Sequence, residues 1–418
     1  MNGATHRVPG IGLRRSAGAW LAALAIAGLV QPRVAGGQGT PPVPPADSAT
    51  RGAGGLELDS LPTIGVSVGD VLYFPGLFGF RAPAYDRTDG LSVVFGPRLA
   101  LPDDRIVLDA LATYRSNLGR FDPSFRGVVT VSRHVALHAS AERATLTNDD
   151  WSASTFTNSL GTLFGGSDGR NYFRSDRAEA TLEWHADRPD ETLGATAYVG
   201  ARDEYSRSIG PDSGTPHEVW SAFDHADREG ILRPNPPIQD GHIASGIAGL
   251  TGHWASPQAV TAVAKLGVEV PWTTPDGATF AQFTADASLA FRGLADHEFT
   301  LFAHALVTAG GVAPPQRYSY VGGTYTLPTL MRLEQGGDQL LAIETMYLVP
   351  VHALVLPFVG APTVAVRYVI GAAGVHTLPD FTQNVGLRLQ LFVLRVDGLI
   401  DPITRKTAIA LSGAVPRT

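Results

Sequence analysis

The chain has 418 residues, 44% of them apolar, a formal net charge of −7 and no cysteine. Lysine occurs only at Lys265 and Lys406 and no basic run is present, so the electrostatic footprint of a nucleic-acid partner is missing. The absence of cysteine excludes disulfides, thiol chemistry and a lipoprotein anchor. A mean hydropathy of +0.05 is too mild for helical membrane spans, whereas a β-barrel hides its lipid-facing residues in alternation and keeps an average composition.

Arg14 and Arg15 precede an apolar run from Ala17 to Val30 that is too short to span a bilayer. Val34-Ala35-Gly36-Gly37 then offers small residues for cleavage, so residues 1–37 read as a secretory signal peptide. Residues 38–60, with Thr40-Pro41-Pro42-Val43-Pro44-Pro45, read as a Pro/Gly-rich periplasmic linker that buries too little surface to order itself. The remainder, 61–418, is assigned to one β-domain in the outer membrane of a diderm bacterium.

From Leu91 onward, short stretches place an apolar residue at every second position. Val260, Ala262, Ala264, Leu266, Val268, Val270 and Trp272 share one face, with Thr261, Lys265 and Glu269 on the other. Alternation and turn residues predict strands near 91–99, 105–114, 125–132, 134–143, 153–163, 171–184, 192–203 and 242–254. Eight more follow near 259–270, 278–291, 297–308, 339–349, 352–360, 362–375, 384–397 and 406–415, with residues 62–75 as a further candidate. Many approach the length that a tilted strand needs to cross a bilayer. The fold class is therefore all-β: a transmembrane antiparallel up-and-down barrel of about sixteen strands. Closure follows because an unpaired sheet edge cannot face hydrocarbon.

The two longest gaps, 204–241 and 309–338, both follow odd-numbered strands and fall on the outside, the second as the sixth external loop. Trp151, Trp184, Trp254 and Trp272 lie at strand ends, as in an interfacial aromatic girdle. The inner face receives Asp109, His138, Glu142, Arg177, Glu179, Glu183, Lys265, Glu269, Gln282, Asp286, Glu298, His304, Glu344 and Arg388, a lumen of mixed charge.

Enzymatic patterns are weak. Gly165-Gly166-Ser167-Asp168-Gly169 matches a nucleophile-elbow string, but it falls between two expected strands, where Gly, Ser and Asp make a hairpin loop. His134 and His138 share a strand face about 13 Å apart, too far for one metal ion. No catalytic, cofactor or metal site is expected.

Val321-Gly322-Gly323-Thr324-Tyr325-Thr326-Leu327, Gly336-Gly337-Asp338 leading into Glu344, and Tyr347-Leu348-Val349-Pro350 resemble the bacterial surface antigen family. That is the superfamily of outer-membrane barrel-assembly factors and two-partner-secretion transporters. Val385-Gly386-Leu387-Arg388-Leu389 with Arg395-Val396-Asp397 resembles its penultimate strand, and Tyr85 to Leu91 its barrel entry. The resemblance implies a sixteen-stranded barrel whose sixth loop, here Gly322, Gly323, Thr324, Arg332, Gly337 and Asp338, folds into the lumen. It implies a role in protein insertion or translocation, with lipid and client or periplasmic proteins as partners.

Three features depart from the family pattern. Pro328-Thr329-Leu330 stands where the family has an Arg-Gly-aromatic loop tip, leaving Arg332 as the substitute anchor, with Glu344 as its candidate partner. Polypeptide-transport domains are not expected in the short stretch before the barrel, and the C-terminus is Val415-Pro416-Arg417-Thr418 rather than an aromatic. The alternative reading is a passive channel or structural barrel.

Overall fold

The structure is a computed structural model. It describes residues 66–68, 71–75, 79–101, 104–187, 192–209, 233–256, 260–293, 296–354, 361–391 and 394–413. The expected signal peptide and linker lie outside these residues.

Alternation yields strands almost throughout. In chain order they are β1 (Val66–Val68), β2 (Leu72–Phe74), β3 (Ala84–Asp86), β4 (Gly90–Phe95), β5 (Arg98–Ala100), β6 (Ile106–Arg115), β7 (Arg120–Ser132) and β8 (Val135–Leu146). One helix, α1 (Thr155–Gly165), precedes β9 (Phe173–Asp187), β10 (Leu193–Arg207), β11 (Gly241–Ser256), β12 (Val260–Thr273), β13 (Phe280–Arg292) and β14 (Glu298–Gly310). A small hairpin, β15 (Ser319–Val321) and β16 (Gln335–Gly337), leads to β17 (Gln339–Pro350), β18 (Thr363–Gly374), β19 (Thr382–Leu391), β20 (Leu394–Ile400) and β21 (Thr407–Gly413).

All strands except β15 and β16 belong to one sheet of nineteen segments, and every pairing is antiparallel. β4 and β5 pair in series with β6 and form one bent strand. Along the other edge of that strand runs a broken one: Leu72 opposes Leu99, Phe80 bridges Phe95, and Ala84 opposes Ser92. Taking β2 and β3 as pieces of this broken first strand and β4 with β5 as the second, and setting aside the three-residue β1 that pairs with β2, gives the sixteen strands of an up-and-down barrel.

The expected count is met by different segments. Residues 153–163 form α1 rather than a strand: Ser154 caps the helix by accepting from Thr157 N, and Phe156, Leu160 and Phe164 fit helical spacing as well as alternation. Residues 352–354 form a 3-10 turn, and 355–360 lie outside the described residues. Residues 384–397 fall in two strands, β19 and β20, paired as a hairpin. The 62–75 candidate holds β1 and β2. The broken first strand offsets the lost strand at 153–163, so the long loops 208–240 and 311–338 keep their common end.

The wall alternates as the pattern predicts. Leu108, Leu137, Leu182, Val199, Leu266, Val366, Leu387 and Leu411 are exposed on the outside, while neighbouring polar residues turn into a buried interior. Trp184 and Trp272 are exposed on the outer surface, in keeping with a girdle. Trp151 departs from that expectation. It lies inside, stacked on His304 with ring centroids 4.2 Å apart, because its indole N–H donates to Ser319 Oγ of the inserted loop (2.7 Å).

Candidate functional site

The interior is occupied by the connection 311–338 between β14 and β17. Its β15–β16 hairpin lies against β17 and β18. Val321 and Leu327, almost wholly buried, join Leu306, Leu340, Val369 and Ala373 on the inner wall, with Leu330 and Trp151 packed alongside. Burying each such side chain stabilises the docked loop by roughly 1.5–3 kcal/mol.

Gly322 and Gly323 make the sharp return that this insertion needs. At Gly322 φ is +125°, and a Cβ there would meet Met331 O at 2.2 Å. The Gly322 N–H donates to Thr326 Oγ1 (2.8 Å), and its carbonyl accepts from Leu333 N (3.2 Å). The Pro328-Thr329-Leu330 tip is held by Asn384 of β19, which accepts from Thr329 N (3.1 Å) and donates to Thr329 Oγ1 (2.7 Å). At the loop's exit Asp338, fully buried, accepts from Ala313 N (3.0 Å) and His376 N (2.7 Å). Thr324 and Arg332 are half-buried, and Gly337 is buried opposite Ser319 in the hairpin.

Arg317, on the arm entering the barrel, brings its guanidinium to wall carboxylates. It is 4% exposed; Nη1 donates to Glu204 Oε1 of β10 (2.9 Å), and Nε and Nη2 fork onto Glu269 of β12 at 3.0 Å each. Burial opposes its charge, but Glu204 and Glu269 outweigh burial and hold its pKa above the ordinary arginine value. Glu204 also accepts from Arg177, and Glu269 from Ser245. Glu344 faces two wall arginines, Arg367 (3.0 Å) and Arg388 (3.7 Å), which share Asp397. Lys265 sits opposite Asp286 across the β12–β13 pair.

A second group of contacts ties the connecting segments together. Asp149 is fully buried and accepts from Tyr320 N (2.9 Å), Ser319 Oγ (3.1 Å) and Asn171 N (3.0 Å). Burial raises its carboxyl pKa to about 6, against the lowering pull of those donors and Arg233. Asp168, also fully buried, accepts from Arg87 N (2.9 Å), Tyr172 Oη (3.1 Å) and Asn158 Nδ2 (3.2 Å). The guanidinium of Arg87 reaches Arg170 O, Arg233 O and Asn235 Oδ1. Gln316 donates to Gln239 O (2.8 Å) and so joins the inserted loop to the 233–240 segment.

The G-x-S-x-G string lies at the C-terminus of α1, where Gly166 is the cap, and not in a hairpin between two strands. A nucleophile elbow needs its serine on a strand-to-helix turn; Ser167 follows the helix instead. Asp149 and Arg317 were not singled out from the sequence, Trp151 was read as a girdle residue, and Tyr325 entered only as part of the glycine-led motif. Arg317 left a signal, as the other arginine between residues 309 and 338.

No family model and no curated protein sequence matches the chain. Solved structures similar to it include CdiB from Acinetobacter baumannii, at 11% identity and a TM-score of 0.45, covering 79% of this chain and 58% of that one. BamA from Haemophilus ducreyi lacking POTRA domains 1–3 is similar at 12% identity and a TM-score of 0.48, covering 80% and 68%. CdiB from Escherichia coli follows at 11% identity and 0.42, covering 79% and 60%. The chain spans less than two thirds of the length of either CdiB chain.

Proposed function

We propose that this protein is an outer-membrane barrel of the bacterial surface antigen type, acting in the insertion or translocation of proteins, with the 311–338 loop as its internal plug. The observation that carries this reading is the form of the plug's attachment. Val321 and Leu327 seat the loop, and the forked Arg317 ties it to carboxylates on two different wall strands. A passive pore gains nothing from filling its lumen with a segment secured by a few reversible bonds. A translocation or assembly barrel needs a lumen that stays shut until a client engages it. Lipid is the partner of the outer face; a client or periplasmic protein is the partner of the interior and its short-turn end.

Reconstitution separates the two readings. In planar bilayers the wild-type protein should be closed most of the time, with brief openings, and the Arg317→Ala variant should be open far more. In vesicles it should speed the insertion of an unfolded outer-membrane barrel or the passage of a secreted client. A steady large conductance in the wild-type protein, without either activity, would support a passive channel and end the proposal.

A further inference from the structure

We infer that α1 is a membrane-embedded segment of the barrel wall, sealing the seam between the first and last strands with its outer face in lipid hydrocarbon. The inference rests on the membrane-barrel reading and adds a lipid contact to it. Among the described residues β21 pairs with β20 alone, and no strand pairing joins it to the broken first strand. Helix α1 lies in that gap, packed against β3 on one side and reaching β21 on the other. The backbone N–H of Tyr85, in β3, donates to Ser159 Oγ on the helix (2.8 Å). A helix satisfies its own backbone, so it can stand beside a strand edge in hydrocarbon where a loop could not.

The helix is sided in the same sense as the strands. Phe156, Leu160, Leu163 and Phe164 fall on one face by their spacing, with Phe156 40% and Phe164 45% exposed. Thr157, Asn158 and Thr162 fall on the opposite face and are buried. An ordinary loop helix over water would turn its polar face outward; this one turns it inward. Its apolar face continues the outer surface of β21, where Ile409 and Leu411 are 87% and 63% exposed. Hydrocarbon is therefore the occupant that suits both. From inside, Tyr325 of the plug presses on the helix at Gly161, where a Cβ would meet its hydroxyl oxygen at 2.1 Å.

The cysteine-free chain permits a direct test. Single variants Phe156→Cys and Phe164→Cys carry a nitroxide label in phosphatidylcholine–phosphatidylglycerol vesicles, each first checked for folded gel migration. Leu266→Cys and Ile409→Cys serve as wall references, and Asp276→Cys as a loop reference. The ratio of oxygen to nickel-chelate accessibility at 156 and 164 should match the wall references and exceed the loop reference several-fold. Lipid-like values at 266 and 409 with loop-like values at 156 and 164 would overturn the seam assignment and leave the barrel intact. Shielding of 156 and 164 from both reagents would also overturn it, pointing to a second protein copy over the helix. Loop-like values at 266 would refute the barrel reading itself.

Discussion

Arg317→Ala removes the ion pairs that tie the plug to β10 and β12 together. Breaking a buried ion pair costs about 3–5 kcal/mol where the surviving charge is left bare. Here the survivors keep partners: Glu204 retains Arg177 and Ser206, and Glu269 retains Ser245. The expected loss of docking free energy is accordingly smaller, about 2–3 kcal/mol. At about 1.4 kcal/mol per tenfold, this raises the undocked fraction roughly thirty- to a hundred-and-fortyfold. Arg317→Lys keeps the charge but cannot fork onto Glu269, so it should fall between wild type and Ala. Arg332→Ala should matter less, because Arg332 is only half-buried. Single-channel recording gives the open fraction, and protease cleavage within 311–338 gives an independent measure of undocking. A wild-type open fraction and wild-type protease resistance in folded Arg317→Ala would refute the assignment of Arg317 as the anchor.

Other perturbations address separate parts of the structure. Leu266→Arg puts a cation on the lipid face and should cost about 2–4 kcal/mol of barrel stability, whereas Thr261→Arg should be tolerated; heat-modifiable gel migration compares the two. Gly322→Ala forces a side chain into a φ of +125° against Met331 O and should expose the loop to protease without unfolding the wall. Because burial raises the folded pKa of Asp149 to about 6 from an ordinary 3.8, its contribution to loop docking is fully present below pH 4 and falls as pH rises through 6. Protease protection of the loop should therefore decline over that window in the wild type and much less in Asp149→Asn. A decline of the same size in the variant would assign the pH dependence to other groups. Tyr325→Ala removes the contact on Gly161 and should increase the mobility of a spin label at Phe156→Cys; an unchanged spectrum would uncouple plug from seam.

The strands were legible because period-two burial writes itself directly into the sequence. From Val260 to Trp272 the even positions turn outward and Lys265 and Glu269 turn in, as alternation demands. The same rule misread 153–163, where Phe156, Leu160 and Phe164 satisfy a spacing of four as readily as a spacing of two. Ser154 and Thr157 carried the deciding information, a helix cap, which is local chemistry rather than periodicity. The broken first strand was obscured for the opposite reason. Its pairing is spread thinly over Leu72, Phe80 and Ala84, and no continuous run marks it.

Gly322-Gly323 and Gly337-Asp338 drew attention to the 309–338 connection through the family resemblance and not through spacing. Arg317 did not stand out. Two arginines lie between residues 309 and 338, and which groups each one meets depends on distances across the lumen that no spacing encodes. Arg317 meets Glu204 and Glu269 because the 3-10 turn at Pro315–Arg317 aims its side chain at β10 and β12 as the chain enters. Arg332 lies at the return bend, beside Gly323 and just before Leu333, whose N–H donates to Gly322 O. An arginine on the entering arm has a mechanical consequence. Releasing Arg317 removes the bonds to β10 and β12, while Asn148, Asp149 and Gln282 still hold Gln316 to Tyr320, and Asp338 and Asn384 still hold the exit and tip. Loss of Arg317 therefore loosens the entering arm of the plug without freeing it.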